Sequence, residues 1–147
     1  MRFDRPPPEP LASAHGFLLS WNGHRISAMF AEGLEPLGLR PPHFGVLTLI
    51  EAKPGSTQQE LVDRSQVDPS SMVSIIDELE ATGLAERRDH PDDRRKHALY
   101  LTARGGKTLT RAREVAIKTF SEVFAPLDAD ERETLRRLLR KLAGIDD

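Results

Sequence analysis

The chain has 147 residues, of which 38% are hydrophobic and 30% are charged, and its formal net charge is −2. It is long enough for one domain with its own core, and the absence of cysteine excludes disulfides and thiolate metal sites. No apolar run approaches the length of a membrane span, and the first residues lack the order of a secretion signal, so we expect a cytoplasmic location.

The charge is distributed unevenly along the chain. Between residues 84 and 113, nine basic residues stand against four acidic ones, a local charge of +5, so the remainder of the chain carries −7. A surface that concentrates cations in this way attracts a polyanion whatever the average charge of the protein is. The alternative is an ordinary solvated charged face, and composition does not separate the two interpretations.

The N-terminal region predicts an arm followed by a long helix. Residues 1–10 (MRFDRPPPEP) contain too much proline for a helix, so we expect a flexible, extended arm. From Leu11 onward, apolar residues recur at 3–4 spacing on two sides of one helix, which residues 33–38 end. A helix that is apolar on two sides packs on two surfaces, and one of them can belong to a partner chain.

Three shorter helices are predicted next. Pro41 begins the first of them, because proline fits the first helical turn. Thr57 and Glu60 have the spacing of a capping box, in which each side chain accepts from the other's backbone amide. Asp68 caps the following helix, which ends at Gly83. Two short helices joined by a tight turn are typical of a helix-turn-helix.

A hairpin and two more helices complete the predicted order. Residues 84–88 and 96–101 predict two strands joined by a charged turn that contains proline. Thr102 caps a long helix, and Asp128 and Glu131 have capping-box spacing at the start of the last one. The fold class is therefore mainly α with a small β-hairpin wing. It is a winged helix-turn-helix with N- and C-terminal helices whose surplus apolar surface favours dimerisation.

Three stretches resemble the MarR family of winged-helix transcriptional regulators: LGLRPPHFGVL (37–47), TQQELVDRSQVDPSSMVSIIDELEATGLAERR (57–88) and HPDDRRKHALYLTARG (90–105). The last stretch matches the family's Asp-x-Arg wing at residues 93–95 and its Leu-Thr-x-x-Gly at residues 101–105. The resemblance implies a homodimer that binds a pseudo-palindromic operator in double-stranded DNA, as a repressor. It also implies release by a small effector, often an aromatic or phenolic anion.

The resemblance also implies a domain organisation. Residues 11–147 are expected to form a single domain behind the arm. Within it, residues 11–36 and 103–147 supply the dimerisation helices, and residues 41–101 form the winged helix-turn-helix lobe that binds DNA.

The expected DNA contacts lie on the two short helices and the wing. The candidate residues are Thr57, Gln58, Gln59, Pro69, Ser70, Ser71, Val73, Ser74, Asp77, Arg94, Arg95 and Lys96. The recognition helix has no arginine for a bidentate contact to guanine, so we expect more of the recognition to come from the wing and from DNA shape. Asp93 is expected to support Arg95 within the wing. The alternative is that the two wing arginines only pair with Asp92 and Asp93.

A second candidate site combines aromatic and cationic residues near the first two helices. Phe17, Trp21 and Arg25 lie one helical turn apart, and His43 and Phe44 stand near the start of the second helix. This set predicts a pocket for an aromatic carboxylate, whereas the alternative for a lone tryptophan on an apolar helix is a core position. The five histidines show no metal-ligand spacing, so we expect no structural metal and no cofactor.

Enzyme motifs are missing from the sequence. It contains no nucleophile elbow, no phosphate-binding loop and no zinc-hydrolase motif, so we predict a protein without catalytic activity. The rival to a DNA-binding regulator is a winged helix that serves protein–protein contact. Operator binding by the isolated homodimer separates these two functions.

Overall fold

The computed structural model describes residues 3–145. In chain order its elements are α1 (His15–Leu34), α2 (Pro41–Ala52), α3 (Gln58–Asp63), α4 (Pro69–Ala81), β1 (Ala85–Asp89), β2 (His97–Leu101), α5 (Ala103–Phe124) and α6 (Ala129–Leu142). Short 3₁₀ turns, Leu11–Ser13 and Glu35–Leu37, flank α1. The predicted fold class is confirmed: helices surround one two-stranded antiparallel hairpin. The first two residues of the predicted arm lie outside the described residues.

The long N-terminal helix begins later than predicted. Leu11 starts a 3₁₀ turn rather than the helix, and Ala14 has an extended backbone (ψ 114°) that interrupts the helical hydrogen bonds before α1. At the other end, the chain leaves the second 3₁₀ turn through Gly38, whose φ of 68° lies in the left-handed region that favours glycine.

Local capping interactions position the helix-turn-helix. Thr57 Oγ1 accepts from the amide of Glu60 at 3.2 Å, as predicted. The reciprocal half of that capping box was predicted wrongly, because the Glu60 carboxylate pairs with Lys53 Nζ at 2.9 Å instead. Asp68 caps α4 as predicted and accepts from the amide of Ser71 at 2.9 Å. These bonds set the start of α3 and α4, and hence the direction of their exposed side chains.

The hairpin is held to the helical lobe by a third short segment. β1 and β2 pair antiparallel, with Arg87 opposite Leu99. Leu99 also pairs with Ser56 before α3: its amide donates to the Ser56 carbonyl at 3.0 Å, and its carbonyl accepts from Gly55 at 2.8 Å. Ser56 is fully buried at this junction. The base of the hairpin is therefore fixed against the α2–α3 loop.

The core joins residues from most of these elements. Its fully buried side chains include Leu34, Leu47, Ile50, Leu61, Met72, Ile76, Leu79, Leu99 and Leu109. α5 approaches the start of the hairpin so closely that a Cβ on Gly105 would lie 1.9 Å from the Leu84 carbonyl oxygen. Because only glycine fits there, α5 packs directly on the backbone at the start of the hairpin.

Apolar surface remains uncovered on the terminal helices. α6 begins at the predicted capping box of Asp128 and Glu131 but buries none of its side chains. Exposed large hydrophobic residues outside the core include Leu19, Ile117, Phe120, Leu138, Leu139, Leu142 and Ile145. Within residues 3–145, no helix is both long and apolar enough to cross a membrane.

Candidate nucleic-acid interface

α4 presents one face to the core and the other to solvent. Its inward side chains are Met72, Ile75, Ile76 and Leu79. Its exposed residues include all of those that were expected to face DNA: Pro69, Ser70, Ser71, Val73, Ser74 and Asp77. The hydrophobic spacing of the helix dictates this division, since residues three and four apart share a face.

Asp68 organises the first turn of α4. Ser70 Oγ donates to Asp68 Oδ1 and Ser71 Oγ donates to Asp68 Oδ2, both at 2.7 Å. Together with the Ser71 amide, these hydroxyls hold the pKa of the Asp68 carboxyl well below its usual range. Because the carboxylate stays ionised, the hydroxyl hydrogens of both serines point back to the cap.

Arg87 joins the first wing strand to α4. Its Nη2 donates to Asp77 Oδ1 at 2.7 Å and its Nη1 donates to Glu80 Oε1 at 3.3 Å. The hydrogen bond that Arg87 donates to Asp77 raises the pKa of the Arg87 guanidinium. Arg87 was not among the predicted site residues. The signal that would have found it is strand alternation, which places Arg87 on the same face as the buried Ala85 and therefore toward α4.

The wing tip carries its cations outward. Asp93 Oδ1 accepts from the amide of Arg95 at 3.0 Å and from its Nε at 3.2 Å, so the expected contact between these two residues is present. Arg95 lowers the pKa of the Asp93 carboxyl, yet the arginine side chain remains 90% exposed. Arg94 and Lys96 are exposed as well, and within residues 3–145 neither forms an ion pair. Nη2 of Arg95 also donates to Asp93 Oδ2 at 3.4 Å, so Asp93 orients the guanidinium through two of its nitrogens while the group stays accessible to a ligand.

The start of α3 and the wing tip enclose one cleft of about 240 Å³. It is lined by Thr57, Gln58, Gln59, Arg87, Arg95, Lys96, His97 and Leu99. Three lining residues are cationic and none is acidic. Arg87 and Arg95 also pair with carboxylates outside the lining, Asp77 and Asp93, whereas Lys96 forms no ion pair within residues 3–145. The donors that face the cleft suit an anion such as a DNA phosphate. The structure therefore brings together the α3 and wing residues that were predicted separately. Gln59 Nε2 already donates to Asp63 at 2.9 Å.

A second cavity lies between α1, α2 and α4. Its volume is about 460 Å³, and its lining residues are Ala31, Glu32, Glu35, Gly38, Leu39, Arg40, His43 and Glu78. His43 is only 5% exposed. The Nδ1 atom of His43 accepts from the Arg40 amide at 2.9 Å, so the ring hydrogen is on Nε2. Nε2 therefore donates to Glu78 Oε2 at 2.6 Å. His43, followed by Arg40, lowers the pKa of the Glu78 carboxyl.

The residues of the candidate effector pocket fall at different places. The Trp21 ring lies 5.8 Å from the Arg25 guanidinium and 5.6 Å from the Phe3 ring. Phe44 packs edge-on against Phe30 at 5.1 Å. Of the five predicted residues, only His43 lines either of the two cavities. No group of three potential metal-ligand side chains lies close enough to hold a metal ion within residues 3–145.

Comparisons with known proteins converge on one family. The sequence model of the MarR family matches residues 37–96. An HTH-type transcriptional repressor of Mycobacterium tuberculosis is 32% identical over 129 residues, which are 88% of this chain and 93% of that protein. The transcriptional repressor CouR, solved with a 23-mer DNA duplex, is 31% identical and superposes with a TM-score of 0.84 over 95% of this chain and 99% of its own. A mutant MarR from Escherichia coli, solved with operator DNA, is 28% identical with a TM-score of 0.80 over 86% of this chain and 91% of its own.

Proposed function

Because this chain belongs to the MarR family of transcriptional regulators, we propose that it represses transcription by binding double-stranded DNA as a homodimer. The observation that carries the proposal is the arrangement of α4 and the wing. The exposed face of α4 and the cleft with Arg87, Arg95 and Lys96 lie on the same lobe and are bridged by the Arg87–Asp77 hydrogen bond. This geometry offers a helix for the major groove and a cationic hairpin for an adjacent groove.

Each part of this surface has a distinct task. The cations of the cleft neutralise phosphates and set the register of the protein on the duplex. Arg95, held at its base by Asp93, reaches into a minor groove, where a narrow A·T-rich segment offers the strongest negative potential. The exposed side chains of α4 read base edges in the major groove.

The uncovered apolar surface of the terminal helices supports dimerisation. Leu19 on α1, Ile117 on α5 and Leu142 on α6 are all more than half exposed in the single chain. Burying such residues against a second copy removes apolar area from water, and a twofold axis makes one patch complementary to itself. Two lobes related by that axis require a pseudo-palindromic operator.

A small effector is proposed to regulate the dimer. Trp21 and Arg25 form a cation–π pair on α1, a combination suited to an aromatic carboxylate, since the ring can stack while the guanidinium pairs with the charge. His43 and Phe44 lie on α2, and His43 contacts α4 through Glu78. A ligand that shifts α2 against α4 would therefore change the orientation of the recognition helix.

The experiment that tests the function is selection of binding sites from random double-stranded DNA by the purified full chain. We expect enrichment of an inverted repeat whose half-sites are about one helical turn apart, 10–10.5 base pairs. We expect affinity in the range of about 10⁻⁸–10⁻¹¹ M and a steep fall with salt, because several phosphates release counterions.

The double variant Arg95→Gln, Lys96→Gln tests whether the wing cations contribute to this binding, because it removes two exposed positive charges without changing the core. It should bind the selected repeat more weakly and with a shallower salt dependence. Failure of the wild-type chain to enrich any sequence would contradict the proposal and favour a winged helix that contacts proteins.

A further inference from the structure

Three of the four polar side chains on the DNA-facing side of α4, those of Ser70, Ser71 and Asp77, are already hydrogen-bonded within the protein. The hydroxyl hydrogens of Ser70 and Ser71 are donated to Asp68 at 2.7 Å. The Asp77 carboxylate accepts from Arg87 at 2.7 Å. Ser74 Oγ lies 3.5 Å from the Ser70 carbonyl, a weak contact. The face therefore has few free donors to distinguish one base pair from another.

The lone pairs that remain on the serine and Asp77 oxygens distinguish poorly between base pairs. A serine oxygen whose hydrogen is engaged can still accept, but adenine N6 and cytosine N4 both donate in the major groove. Such an acceptor therefore does not by itself identify a base pair. Guanine offers only acceptors at its N7 and O6, and neither Ser70 nor Ser71 has a hydroxyl hydrogen left for them.

Val73 is the exception on this face. It is 42% exposed, and it is the only large hydrophobic side chain of α4 that stands out toward solvent. Ser70 and Asp77 are its neighbours one helical turn before and after it. The branched side chain has a single strongly preferred rotamer in a helix, so its two methyl groups are presented in a fixed direction.

We propose that Val73 is a specificity-determining residue that recognises the 5-methyl group of a thymine in each half-site. The thymine methyl is the one apolar feature that a base pair presents in the major groove, so it is the natural partner of an exposed, rigid aliphatic side chain. This inference rests on the proposed DNA binding by α4. It adds that the recognition helix selects its base pair mainly by apolar contact rather than by a bidentate hydrogen bond.

The test replaces each thymine of the selected operator in turn by deoxyuridine, which removes the methyl group and leaves the pairing edge unchanged. We expect one thymine in each half-site to be sensitive. Replacing it in one half-site should lower affinity about fourfold, the effect of losing one buried methyl group, and replacing it in both half-sites should lower affinity about fifteenfold. The measurement is fluorescence anisotropy with the full-length dimer at fixed salt.

The variant Val73→Ala makes the test specific to this side chain. Because Val73 is exposed, the variant should fold normally, which circular dichroism checks. It should bind the thymine operator more weakly and should no longer distinguish thymine from deoxyuridine. Discrimination that persists in Val73→Ala would come from DNA shape or from another residue and would overturn the proposal. If the wild-type chain binds every deoxyuridine operator as tightly as the thymine operator, the role of Val73 is overturned while the proposed DNA binding stands. If the chain binds no operator at all, the proposed function itself is contradicted.

Discussion

The guanidinium of Arg87 on β1 donates a 2.7 Å hydrogen bond to Asp77 on α4, ten residues earlier in the chain. The pair links the two elements that are proposed to enter different grooves of the DNA. Both side chains are partly exposed, so the pair adds little to folding stability. Its consequence is positional: the angle between the wing and the recognition helix is set in part by this contact.

The first prediction concerns that link. Asp77→Asn should leave folding stability within about 0.5 kcal/mol of the wild type, as for most surface substitutions. The ratio of operator affinity to affinity for scrambled DNA should fall about twofold or more, because residues of one hydrogen-bonded network couple by about 0.5–3 kcal/mol. Loss of a negative charge should meanwhile strengthen binding to scrambled DNA.

Glu80→Gln is the matched control, since it also removes one negative charge, but at the partner that holds Arg87 by the longer contact, 3.3 Å. Anisotropy titrations of both variants on both DNAs give the ratio. An equal change in the ratio for the two variants would show that Asp77 acts only through its charge.

The second prediction concerns the wing tip. Arg95→Ala should weaken operator binding by about 1–3 kcal/mol. If the arginine enters a narrow minor groove, the loss should be larger on A·T-rich flanks than on G·C-rich ones; contact with phosphate alone gives a uniform loss and a salt slope smaller by about one.

Arg88→Ala serves as the control for Arg95→Ala. It removes an arginine of the same hairpin whose guanidinium lies over the Tyr100 ring at 4.3 Å, away from the tip. Arg88→Ala should lower operator affinity less than Arg95→Ala does, on operators with A·T-rich flanks and on those with G·C-rich flanks. Unchanged affinity of Arg95→Ala on every DNA would show that the tip is only a solvated turn.

The third prediction concerns the contact of α5 with the wing. Gly105→Ala should lower the free energy of unfolding by at least about 2 kcal/mol, because its Cβ would overlap the Leu84 carbonyl at 1.9 Å and the backbone must shift. Gly106→Ala, at the next position, meets no atom within 4 Å and should stabilise the helix by up to about 1 kcal/mol. Urea denaturation at equal protein concentration measures both. Similar stability of the two variants would contradict the close approach.

The fourth prediction concerns the dimer. Sedimentation equilibrium at micromolar concentration should give twice 16.4 kDa. The double variant Leu138→Glu, Leu142→Glu should shift the population to monomer, since it buries two charges in an apolar contact. Arg137→Glu, which changes an exposed polar residue of the same helix, should remain dimeric. A folded wild-type monomer under these conditions would refute the proposed mode of operator binding.

The fifth prediction concerns the effector. An aromatic carboxylate should quench the fluorescence of Trp21, the only tryptophan, and weaken operator binding. Coupling is reciprocal, so operator DNA should weaken binding of the carboxylate by the same factor. Arg25→Gln should reduce the affinity for the carboxylate, whereas the uncharged amide of the same ligand should bind both proteins equally weakly. Quenching without any change in operator affinity would mean that the site is not regulatory.

Local chemistry made much of the fold predictable from the sequence. The caps at Thr57, Asp68, Thr102 and Asp128 each accept from an amide three residues later, and such contacts are independent of the rest of the fold. Hydrophobic spacing likewise determined which face of α4 is buried. The resemblance to the MarR family was carried by the same local stretches, from residue 37 to residue 105.

Contacts between residues distant in sequence were decided only by the tertiary structure. Glu60 left the capping box that its spacing predicted because folding brings Lys53 to 2.9 Å, where a charge pair competes with a backbone amide. His43 meets Glu78 across 35 residues, and Ser56 pairs with Leu99 across the lobe. No periodicity in a single segment encodes such pairings, because each depends on how two independently formed elements pack. Local sequence thus accounts for the helices, the wing and the four cap residues, whereas packing accounts for which side chains of the proposed DNA-facing surface are hydrogen-bonded and which, like Val73, are exposed without a partner.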